Sequence, residues 1–147
     1  MPTPAVSRLN VSLLMVDDNT MGLHARKAVL EELGYRVTTA GSAEDALETL
    51  AGGHTFDIVI TDFKLPAKNG GDLIKEILAR KLPVFTVLLS GFVEAMGLNE
   101  ANTGADVVLQ KSSHELTHLV RSVKSLVKKR KPMGEAGSPA GSERKKA

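Results

Sequence analysis

The chain has 147 residues, 42% of them hydrophobic, with no cysteine and a net charge of +2. That length holds one domain with a real core rather than two, and the lack of cysteine excludes a disulfide framework, a thiolate zinc site and a cysteine nucleophile. No apolar run approaches the roughly 20 residues of a membrane helix, and residues 1–10 lack the regions of a signal peptide, so a cytoplasmic protein is expected.

Residues 1–9 read as an N-terminal extension. Residues 12–16 (SLLMV) are almost wholly apolar, as in a strand buried on both faces. A helix is predicted from about Thr20 to Leu33, with Gly34 supplying a left-handed stop. Residues 35–39 (YRVTT) alternate polar and apolar, which suits a strand near the sheet edge. The next helix opens at Ser42, with Ala43, Ala46, Leu47 and Leu50 on one face. Residues 56–61 (FDIVIT) form a third strand. A helix follows Gly70–Gly71, with Leu73, Ile74, Ile77 and Leu78 expected inward. Residues 84–89 (VFTVLL) form a fourth strand. The fourth helix is expected within residues 94–103, and it is weak there: Gly97, Asn99 and Asn102 are poor helix formers. Residues 106–109 (DVVL) form the last strand. Ser112 and Glu115 are spaced as a capping box for a final helix whose apolar positions are Leu116, Leu119, Val120, Val123, Leu126 and Val127.

The folded body is therefore 10–127. Residues 128–147 are rich in Gly, Pro, Ser and Lys without apolar periodicity, and are expected to be a basic, low-complexity, disordered tail. Their seven Lys/Arg and two Glu carry the basic charge. The other residues hold 12 Lys/Arg against 15 Asp/Glu, so the body is mildly acidic and its charge gives no argument for nucleic-acid binding.

Five strand–helix units in alternation predict an α/β fold with a parallel sheet, right-handed crossovers and helices on both faces. Function in such folds sits at the carboxyl ends of the strands. Those ends are Asp17–Asp18, Asp62, Ser90–Gly91 and Gln110–Lys111. Three carboxylates on one rim repel one another unless a cation compensates, and Mg²⁺ suits a few carboxylates with waters and a phosphate oxygen. Asp62, from the central strand, is best placed as a nucleophile. A phosphoryl group bound there needs its oxygens neutralised. Mg²⁺, the Lys111 ammonium, and the Ser90 hydroxyl with the Gly91 amide would each take one.

These residues resemble the receiver domain of two-component response regulators, the CheY-like family. LLMVDDNT carries the acidic pair at Asp17 and Asp18. DIVITDFKLPAKNGGDLI carries the phosphoacceptor at Asp62, the loop proline at Pro66 and the turn glycine at Gly70. VLLSG carries the hydroxyl at Ser90, Gly104–Asp106 (GAD) leads the last strand, and Lys111 matches the family lysine. The resemblance implies a (βα)5 flavodoxin-like sheet of order 2-1-3-4-5. It implies Mg²⁺ held by the Asp17, Asp18 and Asp62 side chains and the Lys64 backbone carbonyl. It also implies that a histidine kinase or phosphotransfer protein supplies the phosphoryl group to Asp62. The chain would then signal by binding an output protein in trans, as a stand-alone module without a DNA-binding domain, a monomer or weak homodimer, and not as an enzyme. An alternative is a degenerate receiver, an interaction module that ignores phosphorylation.

Three positions depart from the family pattern. Val108 stands where an aromatic switch residue is usual, Ser112 where proline usually follows the lysine, and the stretch from Ser90 to Lys111 is about one residue short. Lys64 and Phe92 stand two residues past Asp62 and Ser90, positions that in the family line the approach of the hydrolytic water. An aspartyl phosphatase would need a second Asp two residues after its strand-1 nucleophile, where this chain has Asn19. A flavin carrier would need a hydroxyl-rich phosphate loop in place of DDNTMG. His114 and His118 are spaced to share a helix face, but no third ligand is evident, so a solvated face is expected.

Overall fold

The apolar runs and amphipathic stretches resolve, in a computed structural model that describes residues 10–130, into a single parallel sheet wrapped by helices. The elements are β1 (Ser12–Val16), α1 (Thr20–Glu32), β2 (Arg36–Ala40), α2 (Ala43–Ala51), β3 (Ile58–Asp62), α3 (Gly70–Ala79), β4 (Phe85–Ser90), α4 (Val93–Met96), α5 (Glu100–Thr103), β5 (Val107–Gln110) and α6 (Glu115–Lys129). The strand order is β2-β1-β3-β4-β5, all parallel, as in a flavodoxin-like doubly wound sheet.

Strands buried on both faces need apolar side chains pointing both ways, and β1 and β3 have them. On one face, Leu13, Met15, Ile58, Ile60, Val87 and Leu89 pack against Leu23 and Leu30 of α1 and Leu119, Val123 and Leu126 of α6. On the other, Leu14, Val16 and Val59 meet Ala43, Ala46 and Leu47 of α2 and Leu73 and Ile77 of α3. The polar second strand, β2, lies at the sheet edge. Gly34 takes φ +102°, the left-handed conformation that ends α1. Ser42 accepts a hydrogen bond from the Asp45 amide and caps α2.

Four expectations are corrected. The fourth helix is two single turns, not one helix. Gly97 stops α4 at φ +64°, and Asn99 then starts α5 through a reciprocal cap with Asn102. Leu78, expected inward, is exposed. Ser112 and Glu115 do not form a capping box. His114 sits at the N-cap without a side-chain cap, Ser112 Oγ accepts from the His114 amide, and the Glu115 carboxylate is drawn away to an arginine of α1. The disordered tail expected from residue 128 does not begin there: α6 takes in Lys128 and Lys129, and Arg130 pairs with Asp57 at 2.6 Å. Residues 1–9 and 131–147, read as extension and tail, lie outside the described residues. Among the described residues, no helix is long and apolar enough to cross a membrane.

Candidate functional site

The strand registers set the site. Val16 lies opposite Thr61, Asp62 opposite Leu89, and Ser90 opposite Gln110. Asp17, Asp62, Ser90 and Lys111 therefore leave the sheet along one rim. The backbone continues the ladder past the strand ends: Asp17 donates to the Ala40 carbonyl, Phe63 to Leu89, and Lys111 to Ser90.

One carboxylate oxygen from each of Asp17, Asp18 and Asp62 lies within 4.8 Å of the other two. Asp17 and Asp62 are buried and Asp18 is exposed, so the trio is open to solvent on one side. Three anionic oxygens this close, at the mouth of a hollow of about 420 Å³ shared with Asn19, Lys64, Leu65, Pro66 and Lys111, fit a hard divalent cation with oxygen ligands and room for water. This is the one acid or histidine group of three with such geometry among the described residues. The expected pair His114 and His118 stack with ring centroids 6.3 Å apart on the exposed face of α6 and gain no third ligand there.

Lys111 Nζ lies 2.7 Å from Asp62 Oδ1. Burial pushes the Asp62 carboxyl above its ordinary value. The Lys111 hydrogen bond and charge pull it down, and Asp17 adds to the upward push. On its other side Asp62 faces a second hollow of about 370 Å³, lined by Phe63, Lys64, Ser90, Gly91, Phe92, Met96 and Lys111. Phe92 and Met96 are exposed, and Lys64 Nζ sits 5.9 Å from the centre of the Phe92 ring. Ser90 is buried with its hydroxyl accepting from the Phe92 amide at 3.0 Å. All the residues expected at the site are thus brought together around two hollows that meet at Asp62, Lys64 and Lys111.

Gly70 closes the loop after β3. Its amide donates to the Phe63 carbonyl at 2.8 Å, and a Cβ there would collide with the Asp62 carbonyl oxygen. Only glycine allows this approach.

Sequence reasoning missed three participants. Arg26, buried in α1, donates from Nη1 to Asp17 Oδ2 at 2.9 Å and from Nε to Glu115 Oε2 at 2.8 Å. Its signal was available: it lies on the inward stripe of Leu23 and Leu30, where an arginine needs an anion. Glu115 is that second anion. Gln110 clamps the loop after β4, donating to the Gly91 carbonyl at 2.7 Å and accepting from the Val93 amide at 3.1 Å. Nothing in its spacing announces that role. Burial works to lower the Arg26 pKa, but the hydrogen bonds and charges of Glu115 and Asp17 outweigh it and raise the guanidinium further.

A doubly wound parallel sheet with an acid pocket and a lysine at its carboxyl rim is the class that this fold and site define. The family model described as response regulator receiver domain matches residues 13–124, and the chain belongs to that family. It is 36% identical over 103 residues to the virulence sensor protein BvgS of Bordetella bronchiseptica, a match covering 67% of this chain and 8% of that protein. It is 31% identical over 120 residues to the response regulator SaeR of Staphylococcus aureus, covering 80% of this chain and 52% of SaeR. The chain thus spans about half or less of the curated relatives it matches. Among solved structures it is similar to the response regulator TrrA of Thermotoga maritima in complex with Mg²⁺–BeF. The TM-score is 0.70 at 29% identity, covering 79% of this chain and 98% of that one.

Proposed function

We propose that this receiver accepts a phosphoryl group on Asp62 from a phosphohistidine of a histidine kinase or phosphotransfer protein, and passes the signal by protein–protein binding. The observation that carries this reading is the Asp62–Lys111 contact of 2.7 Å beside the Asp17–Asp18–Asp62 trio. Asp17, Asp18 and Asp62 would hold Mg²⁺ with the Lys64 carbonyl, and the bound ion would supply neutralising charge to the phosphoryl oxygens.

The chain's own residues account for the rest. The Asp62 carboxylate attacks phosphorus, an O–P bond forms and the P–N bond to the donor imidazole breaks; the imidazole leaves with its electron pair and is protonated. Lys111 offsets charge gathering on the phosphoryl group. The Ser90 hydroxyl can rotate to donate to a phosphoryl oxygen while still accepting from the Phe92 amide. Phe92 and Lys64 cover the apolar flank of the acceptor and restrict water there. That the similar response regulator TrrA was solved in complex with Mg²⁺–BeF supports reading the acid trio as a Mg²⁺ site.

Incubation with acetyl phosphate and Mg²⁺, read by intact mass, tests this. The expected result is a gain of one phosphoryl group that is lost in Asp62→Ala. No gain in the wild-type chain would favour the alternative of a phosphorylation-independent interaction module.

A further inference from the structure

Both carboxylate oxygens of Asp17 already accept a hydrogen bond. Its Oδ1 accepts from the Asn19 amide at 2.9 Å and its Oδ2 from Arg26 Nη1 at 2.9 Å. The guanidinium is fixed on both sides, because Nε is held by Glu115 at 2.8 Å. Both Arg26 and Asp17 are buried, and Glu115 is half-buried at the first turn of α6. The acid trio therefore already contains a cation, delivered from α1 and anchored on a helix that has no other part in the site. Every buried polar side-chain atom among the described residues has a partner, those of this bridge included.

We propose that Arg26 is a resident counter-charge of the acid pocket, competing with a divalent cation for Asp17 while Glu115 sets how strongly it competes. The inference rests on reading the three carboxylates as a cation site. A cation arriving at Asp17 draws on the same carboxylate charge that holds the guanidinium, which then leans more heavily on Glu115. Removing the arginine charge favours the cation. Removing the Glu115 charge leaves Arg26 wholly committed to Asp17 and disfavours it. Binding free energies couple reciprocally, so cation occupancy changes the Arg26–Glu115 contact and reaches α6 without passing through Val108.

The test is a Mn²⁺ titration of the full chain followed by electron paramagnetic resonance, with no phosphodonor present. Like charges a few ångströms apart at a partly screened site are worth about tenfold in binding. Arg26→Met is expected to bind Mn²⁺ about tenfold more tightly than wild type, and Glu115→Gln several-fold more weakly. These opposite signs are not the pattern of a merely structural bridge, whose loss would loosen the site in both variants. Arg26→Met binding no tighter than wild type, or Glu115→Gln binding no more weakly, overturns the proposal. If circular dichroism shows Arg26→Met unfolded, Glu115→Gln decides alone. An absence of Mn²⁺ binding in all three proteins overturns both this proposal and the cation site. Failure of acetyl phosphate to label Asp62, with the affinity order intact, removes only the phosphoacceptor reading.

Discussion

At Asp62 burial and Lys111 act in opposite directions, and burial wins, so the folded carboxyl titrates above its ordinary value of 3.8. The folded chain then holds this proton more tightly than the unfolded chain does. Linkage makes stability fall as pH rises through the interval between those two values, with the loss complete above the folded one. Asp62→Asn lacks this titration. In chelator, thermal melts are expected to show Asp62→Asn melting a few degrees above wild type at pH 7, with the gap narrowing as pH falls towards 4. A gap independent of pH would sink the electrostatic account. Phe92 and Lys64 lead to a kinetic expectation. The exposed ring and the ammonium 5.9 Å from its centre line the hollow beside Asp62, so they should slow water reaching a phosphoryl group there. Lys64→Ala and Phe92→Ala are each expected to raise the rate of phosphate release severalfold; rates equal to or below that of wild type would refute the role.

Elements differ in how far their sequence announces them. Apolar runs at residues 12–16, 56–61 and 84–89 predicted buried strands, because a strand covered on both faces has no polar positions to spare. The first kept its ends, and the other two moved by a residue or two, as strand ends commonly do. Asp17, Asp62 and Ser90 were legible for the same reason, since each directly follows an apolar run, and Lys111 is separated from the last run by Gln110 alone. Arg26 and Glu115 were not read as a pair. They lie 89 residues apart in the chain, and local spacing made Glu115 look like half of a capping box. The stretch before β5 failed differently: Gly97 and Asn99 are strong local signals, but they divide a helix into two turns rather than weaken it. Gly70 shows how tightly an element can be tied to the site. Gly70→Ala is expected to cost about 1–3 kcal/mol in chemical denaturation, because backbone rather than a flexible side chain occupies the space a Cβ needs. A stability equal to wild type would mean that the loop after β3 moves freely.

Across the whole molecule the departures from the family pattern are unevenly placed. The acid trio, Lys111 and Ser90 meet at one rim, as the family pattern requires. Val108, where the family usually has an aromatic switch, is partly buried against Ile74, Leu88 and Ala105, so there is no ring to reorient. The loop after β4 is tied to β5 by Gln110 instead. Its outer neighbour has a further consequence for how copies of the chain meet. Glu100 Oε2 accepts the Val108 amide at 2.9 Å, on the side of β5 that no strand covers. A sheet margin grows by recruiting foreign backbone to its idle amides. Here that amide is already occupied by a carboxylate, whose charge also repels an incoming peptide carbonyl. At the opposite margin β2 exposes Arg36, Thr38 and Thr39 rather than an apolar strip. Both margins of the described sheet are thus poor templates for strand-by-strand aggregation.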